Sequence, residues 1–282
     1  MIRSLAMRHV VAMTAGAITA AWSGPAAADK PFVDRPLTLP ILHMSADAGI
    51  GFGQFQSTST DAAGIVHPTG MHVGWGSNVD GAVGLPFLGE VGVRFGFRFG
   101  QDGVAAGWGA GADHFARLFD PIIESPGRDP FANPEIRLRG SLLDLEVVQL
   151  GLETRAVLPI ADGSDFVLTP GVPVRIHLPT LARIDTGVWL PIAFTSKTGF
   201  TVDIPAQLFF QVGSAFFGPL TGFRYNDPGV GDNNVEVPAG LGGGYTLGGI
   251  LDLKVQVRTE RINDSNWTQY IGGGVGAGLR LP

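Results

Sequence analysis

Cysteine is absent from the 282 residues, so neither a disulfide framework nor a thiolate metal site is available. Charge is also scarce: Asp, Glu, Lys and Arg make up 16% of the chain, while the mean hydropathy is positive at +0.23. So apolar a composition excludes a disordered chain, and the formal net charge of −6 excludes a nucleic-acid partner, whose phosphates require a basic surface. Long hydrophobic runs are missing too. Beyond the N-terminus no stretch approaches the ~18 apolar residues of a membrane-spanning helix. Glycine, by contrast, is abundant at 42 residues without any G-X-Y period, which rules out collagen. A greasy, Gly-rich, Cys-free chain without a membrane helix has the composition of a β-barrel that crosses a membrane with strands.

The first 28 residues read as a secretory signal peptide. Arg3 and Arg8 form a basic start, residues 10–22 an apolar run, and Pro25-Ala26-Ala27-Ala28 an A-x-A cleavage site ahead of Asp29. Its removal takes away two of the 19 basic residues and no acid, leaving 17 against 25, or −8. Residues 29–40, with Pro31, Pro36 and Pro40, read as an extended periplasmic lead-in to a single barrel domain over residues 41–282.

Alternation carries the fold reading. In residues 251–260 the odd positions are apolar or Thr and the even ones are Asp252, Lys254, Gln256, Arg258 and Glu260. Successive strand side chains point to opposite faces, so this strand has one greasy and one charged face. Residues 90–100 repeat the division, with Val91, Val93, Phe95, Phe97 and Phe99 opposite Glu90, Arg94, Arg98 and glycines. So do residues 200–212, with Val202, Ile204, Leu208 and Phe210 opposite Asp203, Gln207 and Gln211. No apolar helices exist to cover three such faces, which places the greasy side in lipid and the charged side in a lumen. Further strands are expected at 41–56, 71–87, 136–143, 148–160, 166–178, 183–194, 216–225, 235–247 and 267–281. Within 71–87, Asn78-Val79-Asp80-Gly81 marks either a tight turn or a bend. Residues 57–68 read as a Ser/Thr-rich loop, residues 161–165 and 195–199 as turns, and residues 101–134 and 226–234 as long loops. The expectation is therefore an all-β fold: an antiparallel transmembrane barrel of about twelve strands, with ten to fourteen compatible.

The rhythm of residues 148–159, Val-Gln-Leu-Gly-Leu-Glu-Thr-Arg-Ala-Val-Leu-Pro, and of the closing strand 269–281 resembles the small porin-like outer-membrane β-barrels of Gram-negative bacteria. The resemblance covers most of the mature chain and rests on no diagnostic motif. It implies an outer-membrane location, lipid and the barrel-assembly machinery as partners, and passive transport of small solutes without naming one. Such barrels often end in an aromatic residue; this chain ends Leu279-Arg280-Leu281-Pro282.

The chemistry-bearing residues form no catalytic constellation. His67 and His72 are separated by a Pro-Thr-Gly loop rather than by helical or cross-strand spacing. Ser141, Asp144 and His114 lack a nucleophile elbow. Gly-rich runs at 240–244 and 272–276 lack the Lys-Ser/Thr of a phosphate loop and read as inward-facing strand glycines. Neither a cofactor nor a metal is expected, and no enzymatic role, although the class of outer-membrane hydrolases stays open at this point. The functional candidates are the lumen-facing polar residues Arg94, Arg98, Glu153, Arg155, Arg175, Asp203, Gln207, Asp252, Lys254, Arg258 and Glu260. They either tune ion selectivity as charged rings or pair across neighbouring strands and fill a narrow barrel. Two other readings stay open at this point: a closed barrel that binds a partner through its long loops, and a secreted soluble β-sandwich. The cleavage site makes a direct expectation: the intact mass of the mature protein corresponds to residues 29–282, and a protein retaining residues 10–22 overturns the signal-peptide reading.

Overall fold

The computed structural model describes residues 30–60, 66–86, 89–99, 131, 133–160, 166–194, 199–227 and 234–282. Their strands are β1 (Met44–Thr60), β2 (Val66–Leu85), β3 (Gly89–Phe99), β4 (Glu135–Asp144), β5 (Val148–Val157), β6 (Val167–Leu178) and β7 (Ala182–Trp189). There follow β8 (Ile192–Ala193), β9 (Gly199–Val212), β10 (Ala215–Asp227), β11 (Asn234–Glu236), β12 (Ala239–Leu247), β13 (Leu251–Thr259) and β14 (Ile271–Leu281). All pairings are antiparallel and nearly all join sequence neighbours. The ring closes where β1 meets β14, from Met44↔Leu281 to Gly53↔Gly272.

Twelve staves result from fourteen strands because two staves are interrupted by proline. The stave of β7 breaks at Leu190-Pro191 and resumes as β8, which still pairs with β6 and β9. The stave of β12 is preceded by β11 across Val237-Pro238, and both pair with β10. Proline has no N–H for the ladder, and at Pro191 and Pro238 the stave gives way, whereas Pro170, Pro173, Pro205 and Pro219 are accommodated within the continuous strands β6, β9 and β10. A closed ring leaves no unpaired edge, which is the condition for a sheet in hydrocarbon.

Connections differ sharply between the two ends. At the end that carries Met44 and Leu281, consecutive strands are separated by only two or three residues, at 86–88, 145–147, 179–181, 213–214 and 248–250. At the other end the intervals run from five residues at 61–65 to 35 residues at 100–134. The tightest short turns need left-handed backbone, which glycine adopts at little cost: Gly213, Gly248 and Gly249 have φ of 59°, 57° and 74°.

The period-2 alternation sorts side chains as the sequence predicts. On β13, Leu253, Val255 and Val257 point outward, Val255 with 54% exposure, while Asp252, Lys254, Gln256 and Arg258 are buried inside. On β3, Val93 and Phe95 face out and Glu90 and Arg94 face in. Aromatic pairs sit near both ends of the outer wall. Phe210 packs beside Phe217 at the short-turn end, and Phe200 beside Tyr225 and Phe166 beside Phe194 at the other. Two aromatic levels flanking an apolar band are how a transmembrane barrel meets its two interfaces. A soluble sandwich would bury these faces between two sheets; here one sheet closes on itself and turns them outward.

Some sequence expectations are corrected. Asn78-Val79-Asp80-Gly81 is neither a turn nor a bend but the middle of one 20-residue strand, β2. Asn78 and Asp80 lie on its lumen-facing parity and are buried there, so period-2 placement overrides local turn chemistry. Much of the 57–68 loop is strand: Ser57 to Thr60 pair with Val66 to Gly70. Beyond Gly53 and Gly74 this hairpin has only itself for a partner among the described residues, apart from Trp75↔Phe99 at its base. The strand expected at 148–160 stops at Val157, and a 3-10 turn at Trp267–Tyr270 occupies the start of the one expected at 267–281. Residues 101–130 of the first long loop, residues 228–233 of the second and the turn at 161–165 lie outside the described residues.

A charge on the outer face tests the lipid assignment. Replacing Val255 with Arg near the middle of β13 is expected to cost about 2–4 kcal/mol, read as denaturant unfolding in phospholipid vesicles. A loss under about 0.5 kcal/mol, the usual range for a water-exposed site, would show that this face meets no hydrocarbon.

Candidate functional site

Polar side chains on alternate positions of every stave converge on the barrel axis, where charge is costly unless paired. They form local groups. Around Glu153 on β5, Arg139 reaches one oxygen from β4 (2.5 Å), while the other oxygen takes both Arg155 from the same strand (2.5 Å) and the Trp189 indole (2.9 Å). The Arg155 guanidinium also stands 5.5 Å over the Trp189 ring. Arg94 pairs with Glu135 (2.8 Å), and Arg137 with Glu90 (2.9 Å), with Asp80 at 3.8 Å. Asp185 on β7 takes both Arg175 (2.6 Å) and Arg183 (3.0 Å). Near the β1–β14 seam, Lys254 and Arg280 share Asp47, each at 2.8 Å. At the long-loop end, Glu236 accepts from Arg224 (2.9 Å) and Arg261 (2.7 Å), Glu260 takes Arg258 (2.6 Å), and Asp203 lies 3.8 Å from Arg224.

Of the eleven candidates, Arg94, Glu153, Arg155, Arg175, Asp203, Gln207, Asp252, Lys254, Arg258 and Glu260 thus all lie on the lumen face, and those that carry charge are paired. The side chain of Arg98 lies outside what the structure describes; its backbone pairs with Gly76 on β2. The sequence reading missed Asp47, Asp80, Glu135, Arg137, Arg139, Asp185, Arg224 and Glu236 as members of these groups. Their signal was present in their parity: Glu135, Arg137 and Arg139 occupy alternate positions of β4, just as Arg183 and Asp185 do on β7. Gly240 to Gly244 and Gly272 to Gly276 are strand residues of β12 and β14, as expected. Among the described residues no group of three or more His, Asp or Glu is arranged to hold a metal ion.

The interior also holds a piece of chain. Residues 30–40, expected with Asp29 as a periplasmic lead-in, run inside the barrel across its short-turn end. A 3-10 turn at Phe32–Asp34 buries Phe32 and Val33 completely. The Phe32 ring stacks on Phe216 of β10 with centroids 3.7 Å apart, meets Phe209 of β9 edge-on at 5.5 Å, and lies 4.1 Å under the Arg183 guanidinium. Doubled aromatics made this seat: Phe209-Phe210 and Phe216-Phe217 each put one ring outside and one inside, whatever the register. From there the backbone is held by the wall. Arg183 donates to the carbonyl of Phe32 (2.5 Å), a His177 ring nitrogen meets that of Val33 (2.8 Å), and Arg175 donates to those of Arg35 (3.0 Å) and Pro36 (2.6 Å). Arg139 donates to the carbonyl of Leu37 (3.1 Å); the amides of Leu37 and Leu39 donate to Gln149 (2.7 Å) and Glu90 (3.1 Å). Opposite these, the Arg35 fork engages both oxygens of Asp252 on β13, one of them at 2.9 Å. Thr246 donates to Asp252 as well (2.8 Å).

Two glycines make room for this segment. A Cβ at Gly84 would overlap the Pro40 carbonyl and come within 2.7 Å of that of Leu39; one at Gly151 would lie 3.1 Å from the Leu37 side chain. The segment leaves through Leu42, whose φ of 65° is left-handed, and whose amide donates to the Gly84 carbonyl (2.9 Å) before β1 begins. Such a conformation costs a leucine about 1–2 kcal/mol and is held here by the backbone hydrogen bonds on either side of it, from His43 to Pro40 and from Gly84 to His43.

The architecture is that of a closed, porin-like transmembrane β-barrel of twelve antiparallel staves. The chain superimposes on the COG4313 outer membrane channel from Pseudomonas putida F1 with a TM-score of 0.59 over 86% of this chain and 97% of that one, at 8% identity. It also matches the KdgM porin (TM-score 0.49, 7% identity, 82% and 98% covered). The translocator domain of the autotransporter NalP from Neisseria meningitidis gives 0.45 at 13% identity, with 98% of each chain covered. No model of a known protein family matches the chain, and no curated protein matches it in sequence. At these identities the likeness establishes the fold.

The Arg35–Asp252 pair makes a local expectation. Asp252→Asn leaves a buried guanidinium without its carboxylate fork, a change worth about 3–5 kcal/mol where such a pair is broken. Amide hydrogen exchange at Leu37 and Leu39 is expected to accelerate at least tenfold (a factor of ten is about 1.4 kcal/mol), with the β3–β2 ladder unchanged. Equal exchange in both proteins would show that the pair does not hold the segment.

Proposed function

We propose that this protein is an outer-membrane channel for small solutes, occluded in the state described by its own N-terminal segment. The observation that carries this reading is how the lumen is filled. Eight staves can be filled by their own side chains, whereas larger barrels enclose free space. At twelve staves the ion-paired wall leaves an axial space, and residues 30–40 occupy it through non-covalent contacts. Filling by a separate segment, rather than by larger wall residues, keeps a path that can open. The fold shared with an outer membrane channel supports the same reading. Cleavage after Ala28 places the mature end at Asp29, directly ahead of the inner segment, so this segment is the free end of the chain and can withdraw without breaking a covalent bond. An aromatic-flanked outer wall and a secretory start to the sequence support an outer-membrane location, assembly by the barrel-assembly machinery and a short-turn end that faces the periplasm. Passage through the lumen, not chemistry in it, is the role proposed.

Reconstitution into planar bilayers tests it. The native protein is expected to show discrete conductance steps with low open probability, and Arg35→Ala, which releases one anchor of the segment, to show steps of the same size with open probability raised at least threefold. Absence of steps from both proteins, each folded by heat-modifiable mobility, removes the channel reading.

A further inference from the structure

The wall holds residues 32–37 as a receptor holds a peptide. Its donors address the main chain, with Arg183, His177, Arg175 and Arg139 on the carbonyls of Phe32, Val33, Arg35, Pro36 and Leu37, and Gln149 accepting from the Leu37 amide. Main-chain contacts of this kind are indifferent to sequence and here fix in place the 3-10 turn at Phe32–Asp34 and the residues that follow it. Selection comes from two side-chain seats at the ends of the run. One is the aromatic slot formed by Phe209, Phe216 and the Arg183 guanidinium, which grips the Phe32 ring on its face and edge. The other is Asp252, whose two carboxylate oxygens receive the Arg35 fork while Thr246 steadies one of them. Asp252 is fully buried and its orientation suits a planar guanidinium better than a point-charge ammonium.

We propose that the short-turn end of the lumen is a binding site for short peptides that carry an aromatic residue followed three positions later by arginine across a single 3-10 turn, and that Phe32–Arg35 is its internal competitor. The proposal deepens the channel reading, on which the entry of such peptides from solution rests. The internal segment acts at high effective concentration, because it is tethered to β1 by a few residues. A free peptide therefore meets a site that is mostly taken, and its apparent affinity is reduced by the small fraction of chains in which the segment is out. Binding and opening are then one event: the peptide that fills the seats is the one that keeps the segment from returning.

The test uses the full chain with Phe32→Ala and Arg35→Ala together, which unseats the segment and leaves the wall intact, and a fluorescein-labelled synthetic peptide of residues 30–40 in detergent solution. By fluorescence anisotropy the peptide is expected to bind this variant at least tenfold more tightly than the native protein. Peptides with Ala at either the Phe32 or the Arg35 position are expected to bind the variant at least tenfold more weakly than the unaltered peptide, and one with Lys in place of Arg35 to fall between. Should the double variant not give a heat-modifiable barrel, Arg35→Ala alone serves, with the same ranking of peptides. Equal binding of the unaltered and Ala-substituted peptides, or no binding to a folded variant, overturns the proposal. Because the readout is binding, it separates from the channel reading: conductance without peptide binding leaves the channel and removes the peptide site, and binding without conductance does the reverse.

Discussion

Hydrocarbon offers no hydrogen bonds, and the rest of this structure depends on that fact. A sheet can sit in lipid only if it has no edge, so β1 must find β14 and every stave must keep its ladder. The two proline-interrupted staves each lose pairing for two residues and regain it beyond, on both neighbours for β8 and on β10 for β11. Closure in turn divides the side chains into two solvents. The outer set faces acyl chains and is apolar; the inner set faces the axis, where polar groups must satisfy one another.

That second demand explains the interior. An isolated charge in such a space is expensive, whereas a carboxylate flanked by two guanidiniums is a stable local unit. Glu153, Asp185, Asp47 and Glu236 each gather two basic partners. These units are built largely between adjacent staves, and the antiparallel register puts their members side by side: Arg139 lies opposite Glu153, Arg175 opposite Asp185, and Arg224 opposite Glu236. The wall is therefore electrostatically self-sufficient on each side of the axis, and the segment crossing between the sides meets donors and acceptors that are already oriented.

Much of the wall was legible in the sequence because a strand writes its two faces in alternate letters. Residues 251–260 needed no partner to reveal which side was greasy, and the same holds for β3 and β9. The sequence could not show pairing, since Lys254 and Asp47 are 207 residues apart, and so charged rings and paired clusters were both compatible with the pattern. Local turn chemistry misled at Asn78-Val79-Asp80-Gly81, where a sequence suited to a tight turn is held straight by β1 on one side and β3 on the other. The inner segment was not legible at all. Three prolines suppress any periodicity, and Phe32-Val33 is too short an apolar stretch to announce burial. What fixes it is a set of partners scattered from Glu90 to Asp252, none of them near in sequence.

The scattering of those partners has a consequence for the order in which the molecule is made. The seat of the inner segment draws on β3, β4, β5, β6, β7, β9, β10 and β13, the last of them reaching Arg35 across 217 residues of chain. A wall still missing its C-terminal hairpin lacks Asp252 and with it the seat of Arg35. Residues 30–40, early in the chain, are thus among the last to reach their final place. Their seating then reports completion: a barrel that has not yet closed is also one whose inner segment is not yet fully held, and the same event that seals its seam completes the bed on which that segment lies.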